Sequence, residues 1–151
     1  EQAELLRLFE ANVSYISDNI KILMDHNLIK SKGRVVIISS IWELLTRQDK
    51  FAYTVTKAAV GGLVRSLAVD LGSAKGILVN GILPGIVDTP MSRGLLKPEQ
   101  IDAVINGTPT GRMLVPSDIG NAVYLLASDL NTAISGQSLL VDNGWSIARK
   151  I

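Results

Sequence analysis

Tyr53 and Lys57, in the stretch FAYTVTKAAVGGL at 51–63, are the residues whose types and spacing best suit proton chemistry. Four residues apart on a helix they share a face, so a hydroxyl and an ammonium can approach the same small volume. A cation beside a phenol favours the phenolate and lowers its pKa from about 10 toward working pH, as a general acid/base requires. Ser40 adds a hydroxyl thirteen positions before Tyr53, at the end of the apolar run RVVIISS. Ligands of parallel α/β sheets gather at the carboxyl ends of strands, so Ser40 and the turn at Pro84 and Gly85 both fall where a site is expected. An ordinary helix can also carry a tyrosine and a lysine at this spacing by chance. What gives the pair weight is the ordered set: ISS closing one strand, Tyr53, Lys57, then VNGILPGIVDTPM closing the next.

The elements that would position these groups are readable from periodicity. From about Ala3 to Met24, Leu5, Leu8, Phe9, Val13, Ile16, Ile20 and Leu23 recur at helical steps and predict one long helix with a buried stripe. RVVIISS reads as a short buried strand, rich in β-branched residues. Residues 51–72 read as a second long helix, with Gly72 as its terminating glycine. ILVNGIL at 77–83 is a second buried strand, broken by Pro84 and Gly85. Residues 86–115 read as a lid, with the short helix KPEQIDAVI bracketed by breaks at MSRGLL and NGTPTGRM. Pro116 opens the helix PSDIGNAVYLLASD, and QSLLVD is the last strand before Asn143 and Gly144 turn the chain. This order implies an α/β fold, a parallel sheet with helices on both faces, with further strands expected beside the first.

Composition sets the outer limits. The chain has 151 residues, 47% hydrophobic and 19% charged, which suits one soluble globular domain or a large part of one. A net charge of +1 and no basic stripe interleaved with aromatics argue against nucleic acid. The absence of cysteine excludes disulfides and thiolate chemistry and fits a reducing compartment, so the cytoplasm is expected. No apolar run approaches a membrane span, and the beginning EQAELLRLFE is unlike a signal peptide. With one histidine, His26, and no carboxylate cluster at ligand spacing, no metal site is expected.

With these motifs in place, the sequence resembles the short-chain dehydrogenase/reductase family of the simple, single-domain type, over essentially its whole length. The resemblance implies an NAD(P)-dependent oxidoreductase that interconverts a small-molecule carbonyl and an alcohol by hydride transfer, with NAD or NADP as cofactor. Ser40 would polarise the substrate oxygen, Tyr53 would exchange the proton with it, and Lys57 would lower the tyrosine's pKa and hold the nicotinamide ribose hydroxyls. Asn12, in FEANV, matches the family's helix asparagine and implies a water-linked proton path to the lysine. In LPGIVDTPM, Pro84, Gly85, Ile86 and Thr89 match positions that pack against the nicotinamide and contact its carboxamide or the phosphates. A homodimer or homotetramer is implied too, with the small-residue face of Ala58, Ala59 and Gly62, together with the long first helix, as packing surface. The stretch VDNG departs from the family in having Asn143 where glycine is usual.

A larger departure is that no G-x-x-x-G-x-G or G-x-G-x-x-G follows a strand in these residues. AAVGGL lies inside the helix of Tyr53, so Gly61 and Gly62 read as packing residues, not phosphate binders. The chain therefore reads as the carboxyl-terminal part, 1–151, of one Rossmann-like, doubly wound dinucleotide-binding domain, and alone it should bind NAD(P) poorly. The competing reading is a non-catalytic interaction module that kept the fold and lost the pyrophosphate site.

Overall fold

The computed structural model describes residues 2–148. A stripe of apolar residues at helical spacing builds the first helical run, but not as one uniform helix. Helix α1 (Gln2–Phe9) leads into a π-helical segment (Glu10–Ser14) and then α2 (Tyr15–Asp25). In the π segment the Tyr15 N–H donates to the Glu10 carbonyl, five residues back. Such a widening is a recurrent device of functional helices, and here it carries Asn12. Asn27 then ends the run in a left-handed conformation, φ 53°, with Leu28 N–H returning to the Leu23 carbonyl at 2.8 Å.

Strand β1 (Arg34–Ile38) pairs in parallel with β2 (Leu78–Pro84), and β2 with β3 (Ser138–Val141), giving the order β1-β2-β3. Central β2 is buried along most of its length, and Val79, Ile82 and Leu83 are fully enclosed. Between it and β1 comes helix α3 (Phe51–Lys75). On one face of the sheet, Val60, Val64 and Leu71 of α3 pack with Val13 of the π segment, Ile20 of α2, Ile37 and Val79. On the other, Ala122 and Leu126 of α6 (Pro116–Ala127) pack on Ile82. Helices thus cover both faces of a parallel sheet, as the element order predicts. Asn80 ties the far end of the sheet together. Its side chain donates to the Ile134 carbonyl at 2.7 Å and accepts from Gln137 N–H at 3.1 Å.

Several boundaries differ from the sequence expectation. The first strand stops at Ile38, because Ser40 turns to cap a 3-10 helix (Ile41–Glu43), accepting from Trp42 N–H at 3.4 Å. Helix α3 passes through Gly72 and ends at Gly76, the residue that takes φ +65°. A glycine terminates a helix where the backbone turns left-handed, and Gly72 remains helical. Strand β2 includes Pro84, whose missing N–H costs no ladder bond because Gly85 N–H supplies the next one, to the Val141 carbonyl at 2.9 Å. The last strand is shorter than QSLLVD.

Residues 86–115 hold two helices instead of one, α4 (Pro90–Leu95) and α5 (Pro98–Gly107). The MSRGLL stretch, expected as a break, is helical because Thr89 and Ser92 form a reciprocal capping box with Pro90 at the first helical position. The base of the excursion is closed by a bridge between Val87 and Leu114, with Asp88 N–H donating to the Leu114 carbonyl at 2.7 Å. At the far end Asn143 has φ 54° and Gly144 φ 80°. Asparagine tolerates the left-handed region better than most residues, which accounts for its presence at a position that favours glycine.

Candidate active site

The carboxyl ends of β1 and β2 lie side by side, since Ile38 pairs with Ile82 and Ser39 N–H donates to the Ile82 carbonyl at 2.8 Å. Ser40 follows one end and Pro84 closes the other. Helix α3 starts close to this edge and carries Tyr53 in its first turn and Lys57 one turn later. Lys57 Nζ lies 5.5 Å from the centroid of the Tyr53 ring, and Lys50 Nζ lies 5.6 Å from it. Two ammonium groups therefore flank one phenol ring, at distances where a cation is attracted to the π face.

Burial sets the protonation of this pair. It pushes Tyr53 above its ordinary value of 10.0, and a hydrogen bond with Ser40 acts in the opposite direction by favouring the phenolate. Burial likewise pushes Lys57 below its ordinary value of 10.5, while the charge of Glu43 raises it. At neutral pH Tyr53 is a phenol.

Asn12 reaches the same helix from the π segment. Its Nδ2 donates to Thr56 Oγ1 at 3.2 Å, and Thr56 Oγ1 donates to the Tyr53 carbonyl at 2.9 Å. Asn12 and Lys57 also line a cleft of about 440 Å³ along the edge of β1 that faces away from β2, walled by Ile16, Val36 and Ile38. A second cleft, of about 500 Å³, is lined by Glu4, Arg7, Asp49, Lys50 and Tyr53 itself.

The residues of the second strand end have local work of their own. A Cβ on Gly85 would stand 2.8 Å from Asp142 Cβ and 3.0 Å from its Cα, so only glycine lets β2 and the chain after β3 approach this closely. The Ile86 carbonyl accepts from Leu114 N–H at 3.3 Å. Thr89 Oγ1 caps α4, accepting from Ser92 N–H at 3.1 Å. Gly61 is a packing glycine, since a Cβ there would come 2.6 Å from Glu43 Cδ, whereas Gly62 meets nothing nearer than Arg65 Nη2 at 4.0 Å. Among the described residues no group of three His, Cys, Asp or Glu side chains could hold a metal ion, and no helix is long and apolar enough to cross a membrane.

Thr56, Glu43 and Lys50 were not singled out by sequence. Thr56 lies within TVTK and Lys50 just before α3, but neither belongs to a spacing rule. Glu43 meets Gly61 only through the tertiary fold.

The family described as enoyl-(acyl carrier protein) reductase matches residues 2–146. The chain belongs to the short-chain dehydrogenase/reductase family. It is 34% identical to a glucose 1-dehydrogenase of Gluconobacter oxydans over 77% of this chain and 44% of that protein. It is 33% identical to a cyclopentanol dehydrogenase of a Comamonas species over 93% of this chain and 56% of the relative. The chain thus spans about half the length of the curated relatives it matches. Among solved structures, a gluconate 5-dehydrogenase from Burkholderia cenocepacia in complex with NADP and tartrate superposes with a TM-score of 0.89 at 27% identity, covering 99% of this chain and 58% of that one. A short-chain dehydrogenase family protein from Francisella tularensis gives 0.88 at 26% identity, covering 98% and 64%. These neighbours share the Rossmann fold, with its parallel sheet between helices.

Proposed function

We propose that this chain carries the acid/base machinery of an NAD(P)-dependent oxidoreductase that interconverts a carbonyl and a secondary alcohol, with Tyr53 as general acid/base. The observation that carries the reading is the meeting of Ser40, Tyr53 and Lys57 beside the carboxyl end of β1. The donor set fits a dinucleotide and a carbonyl: Lys57 offers an ammonium to the ribose hydroxyls, and Ser40 and Tyr53 offer hydroxyls to one substrate oxygen. Pro84, Gly85, Ile86 and Thr89 would form the wall against the nicotinamide. NAD or NADP, when bound, supplies the hydride acceptor or donor. In reduction, Tyr53 gives its proton to the nascent alkoxide, and its raised pKa keeps that proton available at neutral pH. In oxidation it takes the alcohol proton as phenolate, a form that the Ser40 hydrogen bond favours and that the Lys57 ammonium, 5.5 Å from the ring centroid, would favour too. Asn12 would join the lysine to a water-borne proton path.

Relatives named as dehydrogenases fit this reading and do not fit a non-catalytic interaction module. In our reading residues 1–151 are the carboxyl-terminal part of one dinucleotide-binding domain of a cytoplasmic homodimer or homotetramer, and 86–115 are its lid. The test is Tyr53→Phe in the full-length protein. Hydride transfer should fall by about 10²–10⁴-fold, while cofactor affinity, followed by the fluorescence of Trp42 and Trp145, stays nearly unchanged. Retained turnover would refute the role of Tyr53.

A further inference from the structure

Glu43 is a half-buried side chain whose carboxylate has no direct partner. Its Oε2 is enclosed and makes no hydrogen bond. The side chain lies flat on α3 where Gly61 leaves the backbone bare: a Cβ there would be 2.6 Å from Glu43 Cδ and 3.1 Å from its Cγ. Gly61 is four residues after Lys57, so the carboxylate sits on the lysine's face of the helix, about 6 Å further along the axis. A buried polar atom left unsatisfied calls for an explanation, and here it is one oxygen of a carboxylate. Lys57 provides one, because it is itself buried, 8% exposed, and has lost much of the hydration that would hold its charge.

The other charged groups around the pair are differently placed. The elements packed on α3 contribute Glu4 and Arg7 from α1, Glu10 from the π segment and Glu43 from the 3-10 turn, and β2 contributes none. Asp49 and Lys50 come from the loop before α3. Glu4, Arg7, Glu10 and Asp49 are exposed, so water and salt screen them. Lys50 has the same sign as Lys57. Glu43 is the carboxylate whose charge acts on Lys57.

We infer that Glu43 is a positioning residue of the site: its carboxylate, laid over Gly61 one helical turn from Lys57, is the counter-charge that keeps the buried lysine an ammonium. The inference rests on Tyr53 and Lys57 being the working pair. It also gives Gly61 a function, since any side chain there would displace the carboxylate.

The experiment is an NMR titration of the full-length protein, following the Lys57 side-chain carbon next to the ammonium in wild type, Glu43→Gln and Glu43→Asp. Glu43→Gln should lower the Lys57 midpoint by about half a pH unit or more, from a unit charge at this range. Glu43→Asp should restore part of the shift. An unmoved midpoint in folded Glu43→Gln overturns the inference. Turnover is not the readout, so failure here is distinct from failure of the Tyr53→Phe test.

Discussion

Asn12 and Thr56, 44 residues apart in the chain, meet at 3.2 Å through Nδ2 and Oγ1, and the same Thr56 hydroxyl donates to the Tyr53 carbonyl at 2.9 Å. The π segment of the first helical run is thereby fixed to the turn of α3 between Tyr53 and Lys57. Thr56 is fully buried. Thr56→Val keeps the shape but removes the acceptor for Asn12 and the donor to Tyr53. It should destabilise the protein by about 1–3 kcal/mol, read from the denaturant midpoint, and Thr56→Ser should restore most of the loss. Equal stability of the valine variant would show that this chain of hydrogen bonds contributes nothing net.

Gly85 tests whether a motif residue is needed for the fold before it is needed for a ligand. Its missing Cβ would fall within 3.0 Å of Asp142 backbone and side-chain atoms, and backbone cannot swing aside as a flexible side-chain end can. Gly85→Ala should therefore cost about 1–3 kcal/mol through overpacking, measured as a lower denaturant midpoint in the absence of any cofactor. An alanine variant as stable as wild type would mean that the chain after β3 yields freely, and the requirement for glycine would have to lie with the ligand.

Asp118 provides the clearest dependence on pH. Its carboxylate accepts from Arg112 at 2.7 and 3.1 Å and from Val115 N–H at 2.8 Å, at the start of α6. The Arg112 guanidinium, followed by that backbone donor, brings its pKa from 3.8 down to about 2. A carboxyl depressed by folding stabilises the native state above its unfolded value. The contribution is then lost as pH falls through the folded one. Acid unfolding of wild type and Asp118→Asn, followed by circular dichroism, should differ above pH 3.8 and converge as pH drops through about 2. Curves that stay parallel across that window would contradict the assignment.

That Ser40, Tyr53 and Lys57 come together could be anticipated from sequence because a strand end and one helical turn fix their relative positions almost locally. The parallel sheet with covered faces was legible for the same reason, each element announcing itself by period. What was not legible depends on contacts between distant parts of the chain. The π widening at Asn12 leaves no mark on a pattern of threes and fours, and the contact of Glu43 with Gly61 exists only once two elements have packed. Helix α3 outran Gly72 because a glycine ends a helix through its backbone angle, which the residue type permits but does not impose. MSRGLL looked like a break because of Gly94, yet the capping box at Thr89 and Ser92 was enough to start a helix there.

Strand β1 carries one last consequence. Among the described residues it pairs only with β2, and its other side presents a row of unused backbone donors and acceptors along an Arg-Val-Val-Ile-Ile sequence, with Ile38 46% exposed. Its single charge, Arg34, is turned to the Asn131 carbonyl and Asp129 and does not guard that row. A β-branched border of this kind is where the further strands expected beside β1 would pair, and where it is left open it is a template for a strand of another chain. Wherever residues 34–38 stand without such neighbours they invite edge-to-edge pairing of two copies, and a lysine in place of Ile38 is the change that would oppose it.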